Sequence, residues 1–286
     1  MSTAGRLAAF AALLALLFGG GALAGAAIGP APAGDEEAAV HGGAEDAAHS
    51  APDPVRGLGV AANGLRLVVD DPELRRGRPQ RLEFRIADER GRTVRDFEEE
   101  HTKRMHLILA RRDLTGFQHL HPDQRADGTW TTEVTLREPG SYRLLADFAR
   151  GGEAHTLASD LRVDGRADLR PLPAAAATAV SDGGYDVALD PGAAGPGEEA
   201  DLRFTITRGG TPVRTEPYLG AGGHLVALRE GDLAFLHVHP TAPGTAADPA
   251  VAFGATFPTE GRYRLFLQFR HEDRVHTVAF THEVRR

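Results

Sequence analysis

The residue types able to do chemistry in this chain are unevenly chosen. It has thirteen histidines, two methionines and no cysteine in 286 residues. Without cysteine there are no disulfides, thiol nucleophiles, iron–sulfur clusters or thiolate zinc sites. Any metal chemistry must use imidazole, carboxylate or at most a stray thioether. The histidines are patterned. His106-Leu-Ile-Leu-Ala-Arg-Arg-Asp-Leu-Thr-Gly-Phe-Gln-His-Leu-His-Pro122 matches His224-Leu-Val-Ala-Leu-Arg-Glu-Gly-Asp-Leu-Ala-Phe-Leu-His-Val-His-Pro240 at seven of 17 positions, and all three histidines are among the seven. His155-Thr156 matches His276-Thr277 further on. A His-x12-His-x-His-Pro motif is thus written twice, and each copy has a fourth histidine downstream.

The spacing has geometric content. His119 and His121 are two residues apart, so on a strand they share a face about 6.6 Å apart. Pro122 ends that strand, because it has no N–H for the ladder. If the loop Arg112–Thr115 joins two strands as a hairpin, Arg111 faces Gly116, and His106 then falls opposite His121. Opposed residues share a face with Cβ atoms about 4.5–5.5 Å apart, so three imidazoles converge. His155, from the last hairpin, is the expected fourth ligand. The second copy offers His224, His237, His239 and His276 in the same order. Neutral imidazole ligates Cu²⁺ and Zn²⁺. The affinity order and all-nitrogen ligation place copper first and zinc second. Met105 adds a soft donor beside His106, but Gly223 stands there in copy two.

The duplication defines the elements that must position these groups. Leu82, Phe84 and Ile86 match Leu202, Phe204 and Ile206, and Gly140-Ser-Tyr-Arg-Leu144 matches Gly261-Arg-Tyr-Arg-Leu265. The expected organisation is a signal peptide or transmembrane anchor over 1–34, a disordered linker over 35–56, a β-sandwich repeat over 57–165, a linker over 166–180 and a second repeat over 181–286. Alternation over Arg81–Ile86 and Asp201–Ile206 reads as half-buried strands. Further strands are expected at Leu65–Val69, Tyr185–Leu189, Thr131–Leu136 and Ala250–Phe257. Roughly seven strands per copy is the size of an immunoglobulin-like sandwich. Tyr142 and Tyr263 sit two residues before Leu144 and Leu265, the spacing of a tyrosine corner with leucine in place of the disulfide cysteine. The fold class is therefore all-β: two tandem immunoglobulin-like β-sandwich domains preceded by one hydrophobic N-terminal helix.

Leu7–Ile28 is an uncharged run of 22 residues, long enough to cross a bilayer. Arg6 before it and Asp35, Glu36 and Glu37 after it place the bulk of the chain outside the cytoplasmic membrane. Small-residue sites at Ala22-Leu23-Ala24 and Ala31-Pro32-Ala33 leave cleavage open. A net charge of −8 without a basic stripe argues against nucleic acid. His41 and His49 ride the tether. His101, His271 and His282 have no counterparts and read as solvated. Arg111 and Arg229 read as exposed arginines beside a turn, and Leu107, Phe117, Phe148, Phe235 and Phe269 as core.

The run Met105–Pro122, with Gly128-Thr129-Trp130 and Tyr142-Arg143, resembles a group of actinobacterial secreted or membrane-anchored proteins. More broadly it is similar to YtkA-like, FixH-like and CopC-like β-sandwiches. The resemblance implies an immunoglobulin-like fold, an extracytoplasmic location and a role around copper. The expected function is extracytoplasmic, membrane-anchored metal binding. The alternative is an adhesion or protein-interaction module with structural histidines. No catalysis is expected: a three-histidine hydrolytic site needs a general base, and the one candidate, Asp147, is matched by Gln268 in copy two.

Overall fold

The computed structural model describes residues 55–236, 238–242 and 250–286. All regular structure among them is strand. The expected helix over Leu7–Ile28, the tether through Pro54 and His237 lie outside the described residues. The first repeat contains β1 (Ala61–Ala62), β2 (Leu65–Val69), β3 (Glu73–Leu74), β4 (Gln80–Asp88), β5 (His106–Arg111), β6 (Gln118–Leu120), β7 (Asp123–Gln124), β8 (Trp130–Val134), β9 (Gly140–Arg150) and β10 (Glu153–Val163). The second contains β11 (Thr178–Val180), β12 (Asp186–Asp190), β13 (Glu199–Arg208), β14 (Thr211–Pro212), β15 (His224–Arg229), β16 (Phe235–Leu236), β17 (Val238–Ala242), β18 (Val251–Thr256), β19 (Gly261–His271) and β20 (Arg274–Val284).

Each repeat is a sandwich of two sheets. The first pairs the order β1-β2-β4-β8-β7 with β3-β10-β9-β5-β6; the second pairs β11-β12-β13-β18-β17 with β16-β15-β19-β20. Strand alternation fills the cores. Leu82, Phe84 and Ile86 of β4 meet Leu107 and Leu109 of β5, and Leu202, Phe204 and Ile206 of β13 meet Leu225 and Ala227 of β15. The tyrosine corners form: the Tyr142 hydroxyl donates to Glu138 O at 3.0 Å and that of Tyr263 to Thr259 O at 2.9 Å. Leu144 and Leu265 are fully buried at the positions where related sandwiches carry cysteine.

The other residues of the same strands build a third core. Every residue of β5 is buried, as in a strand covered on both faces. Ile108 and Ala110, which point away from the first core, pack with Leu145 and Ala158 against Val226, Leu228 and Phe266 of the second repeat. Phe117 stacks on Phe266 at 4.0 Å with a 6° interplanar angle, so it serves the contact between repeats rather than its own core. The chain also ties the repeats at their ends. Phe235 N donates to Arg56 O, and Arg262 donates to Leu172 O in the connecting segment.

Arg111 corrects the expectation of an exposed side chain. It is wholly buried, and its guanidinium is forked onto the buried Asp113 carboxylate. It also donates to Pro139 O and Asp168 O. Burial works to raise the Asp113 pKa. Hydrogen bonds from Arg111, the Arg170 N–H and the Thr115 hydroxyl outweigh that and hold it at about 2. The matched Arg229–Asp232 pair is more open, with the aspartate 40% exposed.

Arg111→Leu leaves Asp113 buried without its partner, and should lower stability by about 3–5 kcal/mol in urea unfolding. Arg229→Leu should cost about 1 kcal/mol. Because the folded Asp113 pKa lies below the unfolded value of about 3.9, its contribution is complete above that value. It should disappear as pH falls through about 2, and the Arg111→Leu variant should lack this acid-sensitive component.

Candidate metal centre

The hairpin β5–β6 takes the register expected from the sequence. Leu107 pairs with Leu120, Ile108 with His119 and Leu109 with Gln118, so the ladder continued one step sets His106 opposite His121. The turn closes with Arg111 N donating to Thr115 O and Leu114 N to Arg111 O. Leu114 and Gly116 take left-handed φ values of 60° and 63°. At Gly116 a Cβ would sit only 3.0 Å from the Tyr142 ring, so glycine fits both the backbone and the space. His106, His119 and His121 share the outer face of this sheet, and their ligand atoms lie within 4.8 Å of one another. The group can hold a metal ion.

The hydrogen bonds of two of the rings decide their tautomers. His106 Nε2 lies 3.0 Å from Glu100 O, a carbonyl that can only accept, so the ring proton is on Nε2. Glu100 is held there by a tight turn in which Glu100 and Lys103 exchange backbone hydrogen bonds. His119 Nδ1 lies 2.8 Å from Gln268 Oε1. With the Gln268 amide placed so that Nε2 meets the Thr277 hydroxyl at 3.3 Å and Oε1 meets His119, that ring carries its proton on Nδ1. The inward nitrogens, His106 Nδ1 and His119 Nε2, therefore both present lone pairs, 3.0 Å apart. Two lone pairs at that distance repel unless a cation lies between them. Two imidazole ligands of a tetrahedral ion with bonds of 2.0–2.1 Å are about 3.3 Å apart. Metal-bound histidines typically donate their outer N–H to a carbonyl or carboxylate in this way. The third ring, His121, is edge-on to both, with centroid distances of 5.1 and 4.7 Å. Its Nε2 is buried with no hydrogen-bond partner among the described residues.

A proton is a poor substitute for the metal here. Burial, opposed by the Glu100 carbonyl, holds the His106 pKa below its ordinary value. Burial and the neighbouring histidines hold His119 well below it. Burial, His106 and Lys103 bring His121 to about 4. At neutral pH the three rings are uncharged.

Two further histidines join from outside the hairpin. His224, the first residue of β15, lies parallel to His106 at 5.4 Å and to His119 at 4.6 Å. Its pKa too is held well below the ordinary value by burial first and then by the other rings. His101, expected in solvent, is partly buried, 6.1 Å from His106 and 5.7 Å from His224. It sits with Thr102 on a turn where both take left-handed φ values, 48° and 67°. Nothing in copy two corresponds to His101. The sequence signal for the convergence of repeats was the unbroken apolar run after His106 and after His224, which requires cover on both strand faces.

The remaining candidates go elsewhere. His155 pairs with Phe148 across β9–β10 and stacks on it at 5.4 Å. His106 pairs with Asp147, one residue out of phase, so His155 points into the sandwich core, away from the cluster. His276 is in the same position in repeat two: it pairs with Phe269, packs on Tyr185 at 4.6 Å, and its Nδ1 is 3.6 Å from Asp182. His239 leaves the histidine sheet altogether. β16 ends at Leu236, and β17 pairs with β18 in the other sheet, with His239 opposite Gly254. There its Nε2 meets Glu199 at 3.2 Å. A Cβ at position 254 would lie 2.7 Å from that nitrogen, so the glycine makes room for the ring. In repeat one the equivalent crossing comes after His121, at β7, which is why that copy keeps its three rings together.

Among curated proteins no sequence matches this chain. Solved structures give remote likenesses. The Escherichia coli adhesin FdeC matches at 13% identity over 79% of this chain and 65% of its own, with a TM-score of 0.27. A putative membrane-anchored protein from Corynebacterium diphtheriae matches at 11% identity over 78% and 59%, with a TM-score of 0.24. Activated alpha-2-macroglobulin of E. coli matches at 12% identity over 77% and 20%, with a TM-score of 0.26. The chain thus spans under two thirds of the length of the first two. The model of a domain of unknown function, DUF8832, matches twice, over residues 60–165 and 178–286, in step with the duplication, and the chain belongs to that family.

Proposed function

We propose that this protein binds a divalent metal ion through His106, His119 and His121, outside the cytoplasmic membrane and tethered to it by the segment Leu7–Ile28. The observation that carries the reading is the convergence of His106, His119 and His121, whose ligand atoms lie within 4.8 Å of one another, with an oxygen acceptor behind two of the rings. His121 supplies the third donor. Three neutral imidazoles without a thiolate favour Cu²⁺ over Zn²⁺ by the affinity order. The resemblance to CopC-like sandwiches points the same way. Our reading is of a binder, because the one candidate general base, Asp147, is matched by Gln268 in copy two.

Adding Cu²⁺ or Zn²⁺ to the detergent-solubilised full-length protein should load one ion per chain at this cluster, with Cu²⁺ displacing Zn²⁺. X-ray absorption should show three imidazole nitrogens. His119→Ala/His121→Ala should lose more than the roughly 10–100-fold in affinity typical of removing an outer-shell partner, while His155→Ala, on the opposite face, should leave affinity unchanged. Absence of uptake, or uptake unaltered in the double variant, overturns the reading.

The metal-free protein should also respond to acid. The folded His121 pKa of about 4 lies below the unfolded value of about 6.5, so between the two the unfolded chain binds the extra proton. Stability should therefore fall as pH drops from about 6.5 to 4, by up to about 3 kcal/mol from this residue. Saturating Zn²⁺ should offset the loss at pH 6, and His121→Phe should flatten the pH dependence measured by urea unfolding.

A further inference from the structure

The outer faces of the two repeats carry matched polar residues on β9 and β19. In repeat two the residue is Gln268, 7% exposed, opposite His224 on one side and Thr277 on the other. In repeat one the same place is taken by Asp147, opposite His106 and Thr156. Both are braced by the threonine: Thr156 Oγ1 donates to Asp147 at 2.6 Å, and Gln268 Nε2 donates to Thr277 Oγ1 at 3.3 Å. Gln268, however, makes its stronger bond outside its own repeat, accepting from His119 Nδ1 at 2.8 Å. The ring so held is also sandwiched from repeat two by His224, 4.6 Å away and within 24° of parallel. Ile108 and Ala110 pack with Val226 and Leu228 in the same contact between the repeats.

Building on the metal reading above, we propose that the site is completed from the other repeat. Gln268 is a positioning residue that fixes the metal-binding tautomer of His119, so metal loading and the docking of the two repeats are thermodynamically coupled. If Gln268 withdraws, the His119 proton is free to move to Nε2, and the ligand atom is lost. Coupling is reciprocal: whatever factor docking contributes to metal affinity, the metal returns to docking. An ion at a site wholly within one repeat would leave the second repeat unchanged. Here the ion acts as a pin between them.

The test uses the full-length protein with Zn²⁺ alone and Cu²⁺ alone. Gln268→Met keeps the shape and removes the acceptor, and should weaken binding about 10–100-fold. Gln268→Glu keeps an acceptor and raises the basicity of His119, and should bind at least as tightly as the native protein. Hydrogen exchange supplies a second readout. Zn²⁺ should slow exchange along β19 in the native protein and in Gln268→Glu, and not in Gln268→Met. Native affinity in Gln268→Met, or protection confined to repeat one in the native protein, overturns this inference while leaving the metal site standing. Failure of the native protein to bind either ion removes both. If Gln268→Met does not fold, Gln268→Glu decides: affinity equal to or above native with β19 protected supports the proposal, and weakened binding overturns it.

Discussion

The burial of both faces of β5 and β15 is the constraint from which the site follows. A strand covered on one side alternates apolar and polar residues, and its polar set meets water. In β5 and β15 the second set, Ile108 and Ala110 on one side, Val226 and Leu228 on the other, is apolar and packs across the repeats. His106 and His224 belong to the same sets by parity and begin these strands. They are carried to the margin of a dry contact without any loop having to deliver them. Once the two sheets close face to face, the imidazoles have no choice but to find partners in each other, in Glu100 O and in Gln268.

That arrangement has an energetic logic. A polar group buried without a partner costs a few kcal/mol, and a natural domain leaves few of them. The cluster satisfies the outward nitrogens of His106 and His119, sets His106 Nδ1 and His119 Nε2 against each other at 3.0 Å, and leaves His121 Nε2 buried with no partner among the described residues. A purely structural histidine would be expected to satisfy both nitrogens, as the Arg111 fork satisfies its donors with Asp113 and two carbonyls. Unsatisfied acceptors that converge, on rings kept neutral by burial, are what a cation site needs.

Much of this was legible in the sequence because strand geometry is nearly deterministic over short distances. The loop Arg112–Thr115 and the two-residue period were enough to set His106 opposite His121, and the tyrosine corners followed from spacing to Leu144 and Leu265. The errors came where a local count met a long-range fact. His155 lies on the strand next but one to β5, and its phase is fixed by the β9–β10 register, which no motif reveals. His239 has the right spacing, but its chain crosses to the other sheet two residues sooner than in copy one. Arg111 read as a surface residue because arginine beside a turn usually is; its burial depends, besides the nearby Asp113, on Pro139 and the connecting segment at Asp168, which are distant in sequence. His101 had no partner in copy two and so no signal at all.

The same reasoning explains why duplication did not yield two equal sites. Two copies that pack through the same outer face form an isologous contact inside one chain, in which each residue should have its symmetric counterpart. Symmetry of that kind survives only while both halves keep the same register and side chains. The early crossing at β17 removes His239 from the contact face. The exchange of Asp147 for Gln268 puts a neutral amide, which can accept from an imidazole without adding charge, on the side that faces His119. A carboxylate there would also fix the tautomer, and would raise the basicity of the ring toward proton and metal alike. The amide fixes the tautomer and leaves the rings neutral. Divergence between the copies is therefore part of how the site of repeat one came to be shared with repeat two.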